Sequence, residues 1–160
     1  MARALLATAL ALLPAPAAAT DWWYLSVGGD PGEQAAAYAD RDSRSRSGDR
    51  VTIREASEYE RVTEGNVSAR LTVAYDCRAR TAQIIDARFY GADGRERVRS
   101  RGDPAPHGIG AGSVYEATMR FACGEEEGLE QLGRLGIREQ ALLLFRERAD
   151  YLAAHPEEAR

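Results

Sequence analysis

Apolar and polar residues alternate with period two along much of the first two thirds of the chain, and helical spacing takes over near residue 114. The alternation is cleanest over residues 71–77. Leu71, Val73, Tyr75 and Cys77 point one way, and Thr72, Ala74 and Asp76 the other, as in a strand with one buried face. Residues 21–27 predict a first strand, with Trp22, Tyr24 and Ser26 on one face and Trp23, Leu25 and Val27 on the other. Residues 35–40 predict a second strand and 51–59 a third. Residues 71–77 are the fourth, 82–90 the fifth and 95–101 the sixth, entered from the hairpin signal Asp93-Gly94. Residues 41–50 contain no apolar residue until Val51 and predict a loop or the tip of a long hairpin. Residues 61–70 predict a loop around Gly65-Asn66, and 102–112 a Gly/Pro loop. Strands in succession joined by short turns predict an antiparallel sheet.

Ser113 and Glu116 stand in the S-x-x-E relation of a capping box, so a helix should start at Val114. Val114, Ala117, Thr118, Phe121 and Ala122 can share one face, Cys123 lies near it, and Gly124 suits the C-terminal cap. Residues 137–154 predict a second, longer helix with Ile137, Ala141, Leu144, Phe145 and Leu152 as its apolar stripe. Leu143 on the polar side and Arg148 inside the stripe do not fit that pattern.

Residues 1–19 read differently. A basic start at Arg3, an apolar run from Ala4 to Leu13, Pro14 and Pro16, and then Ala17-Ala18-Ala19 predict a secretory signal peptide cut before Thr20. No cysteine lies near the cut, so no lipid anchor is expected there. No later stretch is apolar enough to span a membrane. The expected product is exported, periplasmic or secreted, with about 140 residues in one domain.

Export changes the meaning of the two cysteines. In an oxidising compartment, Cys77 and Cys123 predict a disulfide that clamps the first helix to the sheet. Every one of the 21 basic residues is arginine. Without lysine, a Walker-type phosphate loop, a Schiff base and a Ser–Lys dyad are all excluded. The net charge of −4 disfavours general nucleic-acid binding.

The candidate chemistry is sparse. Arg95, Arg97, Arg99 and Arg101 fall on one face at strand spacing, with Glu96, Val98 and Ser100 behind. They predict either a docking ridge for an acidic protein or glycan, or an edge strand guarded by charge. Arg44, Arg46 and Arg50 could extend that ridge, although Asp40, Asp42 and Asp49 offset them. The glycines at 108, 110 and 112 miss the dinucleotide pattern, because position 113 is Ser. No metal set is expected: His107 and His155 are far apart, and Asp40 and Asp42 lack the remaining ligands of a calcium loop. No cofactor is expected either. Asp76 with Glu58 is a nominal carboxylate pair, of a kind that any chain with 25 acids offers.

Several short features occur in an order that resembles the surface-adhesin protein E-like family of exported bacterial proteins. Trp22 and Tyr24 come first, then Tyr38-Ala39-Asp40 with Ser43, then Tyr75-Asp76-Cys77. Phe89-Tyr90 before a Gly turn and a Pro/Gly loop leading to Ser113 and Cys123 complete the set, over residues 21–124. The resemblance implies an antiparallel sheet with a C-terminal helix tied to it by a disulfide. It also implies adhesion to host extracellular-matrix and plasma proteins.

The expected architecture is α+β: a sheet of about six antiparallel strands, the helix tethered through Cys77 and Cys123, and a helical tail. Its divisions are 1–19 (signal peptide), 20–124 (the adhesin-like domain) and 125–160 (helical extension). The expected function is binding rather than catalysis. The competing readings are a small periplasmic enzyme with an unmarked carboxylate site, and an assembly factor dimerising through the tail helix.

Overall fold

The computed structural model describes residues 21–103, 105–127, 129–132 and 136–159; the expected signal peptide lies outside them. The elements run β1 (Trp22–Gly28), β2 (Ala35–Ser47), β3 (Arg50–Thr63), β4 (Asn66–Asp76), β5 (Thr81–Tyr90), β6 (Glu96–Arg101), β7 (His107–Gly108), α1 (Val114–Cys123), β8 (Glu130–Gln131) and α2 (Ile137–Ala154). β1 to β6 each pair antiparallel with the next, β8 adds to the far side of β1 to give the order β6-β5-β4-β3-β2-β1-β8, and β7 also pairs with β5. The expected α+β architecture and its six main strands are present, and two short strands join them.

Two expected loops are strand instead. Residues 41–47 prolong β2, which pairs with the start of β3 through Ser45↔Thr52, Arg46↔Val51 and Ser47↔Arg50. Gly48, at φ 61°, makes the tight turn between them. This strand end is stable without apolar residues because its side chains find fixed partners. Ser43 Oγ donates to the Asp40 carbonyl and accepts the Arg54 N–H. Likewise, residues 61–70 continue β3, turn at Glu64-Gly65 and open β4. Both turn residues have positive φ, 52° and 82°, as a two-residue hairpin with the twist of its strands requires.

The side chains of the sheet divide into two packed faces. On one, Leu25, Ala39, Val51, Ile53, Val73 and Tyr75 pack under Met119, Phe121 and Ala122 of α1. On the other, Ala36, Tyr38 and Ala56 pack under Ala141 and Phe145 of α2. The helices therefore lie on opposite sides of the sheet. Gln34 Nε2 donates to the Phe145 carbonyl at 3.1 Å, a buried bond that seats α2. Leu143 is exposed together with Leu142, on the outer side of α2.

The Cys77–Cys123 disulfide is formed, with Cα atoms 5.9 Å apart. Its 46-residue loop, as predicted, ties the C-terminus of α1 to the end of β4. The other end of α1 is capped by the expected Ser113 and Glu116, with the acid reaching one residue further back than in a capping box, because the Ser113 N–H is bonded to the Gly110 carbonyl at 3.3 Å. Ser113 Oγ accepts the Glu116 N–H at 3.2 Å, while Glu116 accepts the Gly112 N–H at 2.6 Å.

Candidate functional site

α2 packs against β1, β2 and β3, and reaches β4 through Arg138, whose Nη1 donates to the Val67 carbonyl at 3.4 Å. Among the described residues no helix covers β5, β6 or the rest of β4 on that side of the sheet, and the antiparallel register decides which side chains meet there. Arg70 stands opposite Arg88, and Arg88 opposite Arg99. Three arginines on three adjacent strands therefore fall in one row. A second row runs Asp40↔Arg54↔Thr72↔Asp86↔Arg101, and a third runs Glu58↔Ser68↔Tyr90↔Glu96.

Like charges directly opposite on a sheet repel, so the row needs counter-charges. Asp86 supplies one, accepting from Arg99 Nε at 2.9 Å and from Arg88 Nε at 3.2 Å. Its carboxyl is held below the usual range, first by the Arg99 hydrogen bond and then by Arg88. Arg70 is paired differently. Its Nη1 lies 3.0 Å from Glu58 Oε1, while Arg138 of α2 lies 3.6 Å from Glu58 Oε2. Glu58 is 1% exposed; burial pushes its carboxyl up, and Arg70 and Arg138 oppose that shift. Arg138 also donates to the Tyr59 carbonyl at 2.6 Å, so this arginine both caps the acid and fastens α2. Arg54 pairs with the fully buried Asp40, and the Arg70 guanidinium sits 6.0 Å from the Trp22 ring.

Two shallow clefts follow. One, of about 600 Å³, is lined by Glu58, Ser68, Arg70, Tyr90, Gly91 and Arg138. The other, of about 240 Å³, lies between Trp22, Arg54, Arg70, Asp86 and Arg88. Chemically the surface offers planar cationic donors beside aromatic rings, a combination suited to carboxylates or sulfates.

The four arginines of the expected ridge do not share one face. Arg99 and Arg101 lie on the uncovered face, in line with Arg88 and Asp86. A register shift between Phe89 and Tyr90 places Glu96 opposite Tyr90, on that same face rather than behind it. Arg97 falls in the shifted segment. Its Cζ lies 3.3 Å from where a Cβ on Gly65 would stand, over the β3–β4 turn. Arg95 precedes β6, in the turn, 3.9 Å from Asp93. The bulge is the physical reason for the difference: an extra residue breaks the period of two.

Other singled-out residues have structural partners. Arg44 Nη1 donates to the Phe121 carbonyl at 3.3 Å and pairs with Glu126 at 3.0 Å. Arg46 Nη1 donates to the Cys123 carbonyl at 3.2 Å. They grip the C-terminus of α1 and do not prolong the ridge. Glu58 and Asp76 sit opposite Ser68 and Arg50, at opposite ends of β4 and so about 26 Å apart. His107, on β7, lies 3.0 Å from Asp103 at the surface. Among the described residues no group of three or more His, Cys, Asp or Glu is placed to hold a metal. No helix among them is long and apolar enough to cross a membrane.

Arg54, Arg70 and Arg88 were not singled out in the sequence. Each sits between inward-facing residues, as Arg70 does between Ala69 and Leu71 and Arg54 between Ile53 and the buried Glu55, and only the cross-strand register shows that they adjoin.

No curated protein and no solved structure matches the chain. The model of the surface-adhesin protein E family matches residues 22–124. That span starts with the first tryptophan of β1, takes in all three strands of the arginine row and both bridged cysteines, and ends at the cap of α1, so the chain belongs to the surface-adhesin protein E family.

Proposed function

We propose that the chain is an exported, non-catalytic binding protein. Its partner is acidic, and it docks on the sheet face that α2 leaves open. Family membership supports the binding role. The observation that supports the site is the Arg70–Arg88–Arg99 row on adjacent strands, prolonged by Arg101. Arg70, Arg88, Arg99, Arg101 and Arg138 have Glu58, Asp86 and Glu96 as their counter-charges, so this face keeps excess positive charge in a chain whose net charge is −4. A local field of that sign steers acidic partners to one place.

The test is retention on immobilised heparin and on immobilised polyglutamate at low salt. Replacing Arg88, Arg99 and Arg101 by Ser should abolish retention on at least one of them. A second variant, with Arg95 and Arg97 changed to Ser, asks whether the turn end of the ridge takes part. Undiminished retention of the Arg88/Arg99/Arg101 variant would remove the row from the account.

A further inference from the structure

β6 is the last strand of the sheet, and among the described residues it pairs only with β5. All six of its residues are exposed. The direction of its backbone groups follows from one bond. The Gly102 N–H donates to the Ile85 carbonyl at 3.1 Å. This anchor is tight, because a Cβ at Gly102 would stand 1.7 Å from the Ile84 carbonyl oxygen. Along an antiparallel strand the groups alternate in direction, so Ser100, opposite Ala87, also faces β5. The N–H and C=O groups of Arg99 and Arg101 therefore point away from β5; the Arg101 carbonyl accepts the Ser100 hydroxyl at 3.2 Å and keeps its second lone pair for an incoming donor. The side chains of the same two residues lie on the open face, beside Arg88 and Asp86.

We propose that β6 is a docking edge for an extended acidic peptide segment, which adds as a further antiparallel strand. This mode rests on the acidic-partner reading above and names the partner's chemistry. A strand laid on this edge makes hydrogen-bonded pairs with Arg99 and Arg101, and each paired residue shares the face of the arginine it meets. Carboxylates two residues apart then contact Arg99 and Arg101 directly. Between and beyond them the incoming side chains fall on the opposite face, against Ser100 and Val98. Val98 is 51% exposed and paired with Phe89, so the position opposite it suits a β-branched residue. The pattern is acidic–x–acidic–β-branched.

The same charges make the choice selective. A second copy of β6 would bring arginines against arginines, which repel. An acidic segment turns that guard against self-pairing into attraction. A sulfated glycan can meet the guanidinium groups but has no backbone to complete the ladder.

The probe is the blocked peptide Thr-Glu-Thr-Glu-Val-Thr, compared with a copy N-methylated at both glutamates. Methylation removes the N–H groups that the Arg99 and Arg101 carbonyls would accept and leaves the charge unchanged. Calorimetry of the oxidised protein should show the methylated copy binding at least tenfold more weakly. Amide exchange of Arg99 and Arg101 should slow at least tenfold with the unmodified peptide. Equal affinities with unprotected amides would overturn strand addition and leave the acidic-partner reading intact. Retention on polyglutamate or heparin without binding of either peptide would do the same. If peptides, polyglutamate and heparin all fail to bind, both readings fall.

Discussion

The Tyr75 hydroxyl donates a 2.6 Å hydrogen bond to the Glu55 carboxyl, beneath α1 and on the face away from the arginine row. Glu55 is buried, and burial pushes its pKa up to about 7, with the Tyr75 hydrogen bond pulling the other way. Burial, and then the charge of the same carboxyl, pushes the Tyr115 hydroxyl of α1 up from its ordinary value.

The sign of the pH dependence follows. Between its ordinary value and about 7, Glu55 is ionised in the unfolded chain and protonated in the native one. The native state then binds more protons, so this group makes stability fall as pH rises through that window. The loss should approach about 3 kcal/mol by pH 8. Glu55→Gln keeps an acceptor for Tyr75 and removes the titration. Urea midpoints should fall between pH 5 and pH 8 more steeply for the native sequence than for E55Q. Parallel curves would mean that Glu55 does not titrate in this range.

The disulfide should be worth about 4 kcal/mol, from the closure entropy of a 46-residue loop. A Cys77→Ser, Cys123→Ser double variant should keep its far-UV dichroism and lose that much in a denaturant titration. A loss under about 1 kcal/mol would indicate that the reduced, unfolded chain is already compact near these positions.

Arg44 and Arg46 serve the last carbonyls of α1, where positive charge also suits the helix dipole. Changing both to Ser should cost about 1 kcal/mol. Amide exchange should speed up first at Gly124 and Glu125, whose N–H groups bond back to Phe121 and Arg120. Unchanged exchange there would show these contacts to be ornamental.

Asp86 holds Arg88 and Arg99 together, so Asp86→Asn should leave two facing cations without their shared anion. The variant should be less stable than the native sequence at low salt, and the gap should close as salt screens the repulsion. It should also elute from heparin at higher salt than the native protein. Earlier elution would mean that Asp86 orients the arginines rather than masking them.

The sheet was legible wherever one face is apolar. Val73 and Tyr75, or Ala82 and Ile84, announce a strand by burying alternate side chains against α1. Residues 41–47 give no such sign, because what fixes that strand end is the α1 carbonyls and Glu126, far along the chain. The disulfide was legible because the chain has only two cysteines. The arginine row was not, since pairing Arg70 with Arg88 and Arg88 with Arg99 depends on register. The bulges between Thr72 and Val73 and between Phe89 and Tyr90 reset that register, and no single strand reveals them.

The bond between Cys77 and Cys123 also decides how the molecule bears a pull. Tension applied between residues 21 and 159 passes directly across the sulfurs, so residues 78–122 cannot be drawn out while the bond is intact. β5, β6, β7 and nearly all of α1 lie in that sheltered segment. A partner held on β6 would keep its mooring while β1, β2 and β3, which lie outside the bridged segment, yield.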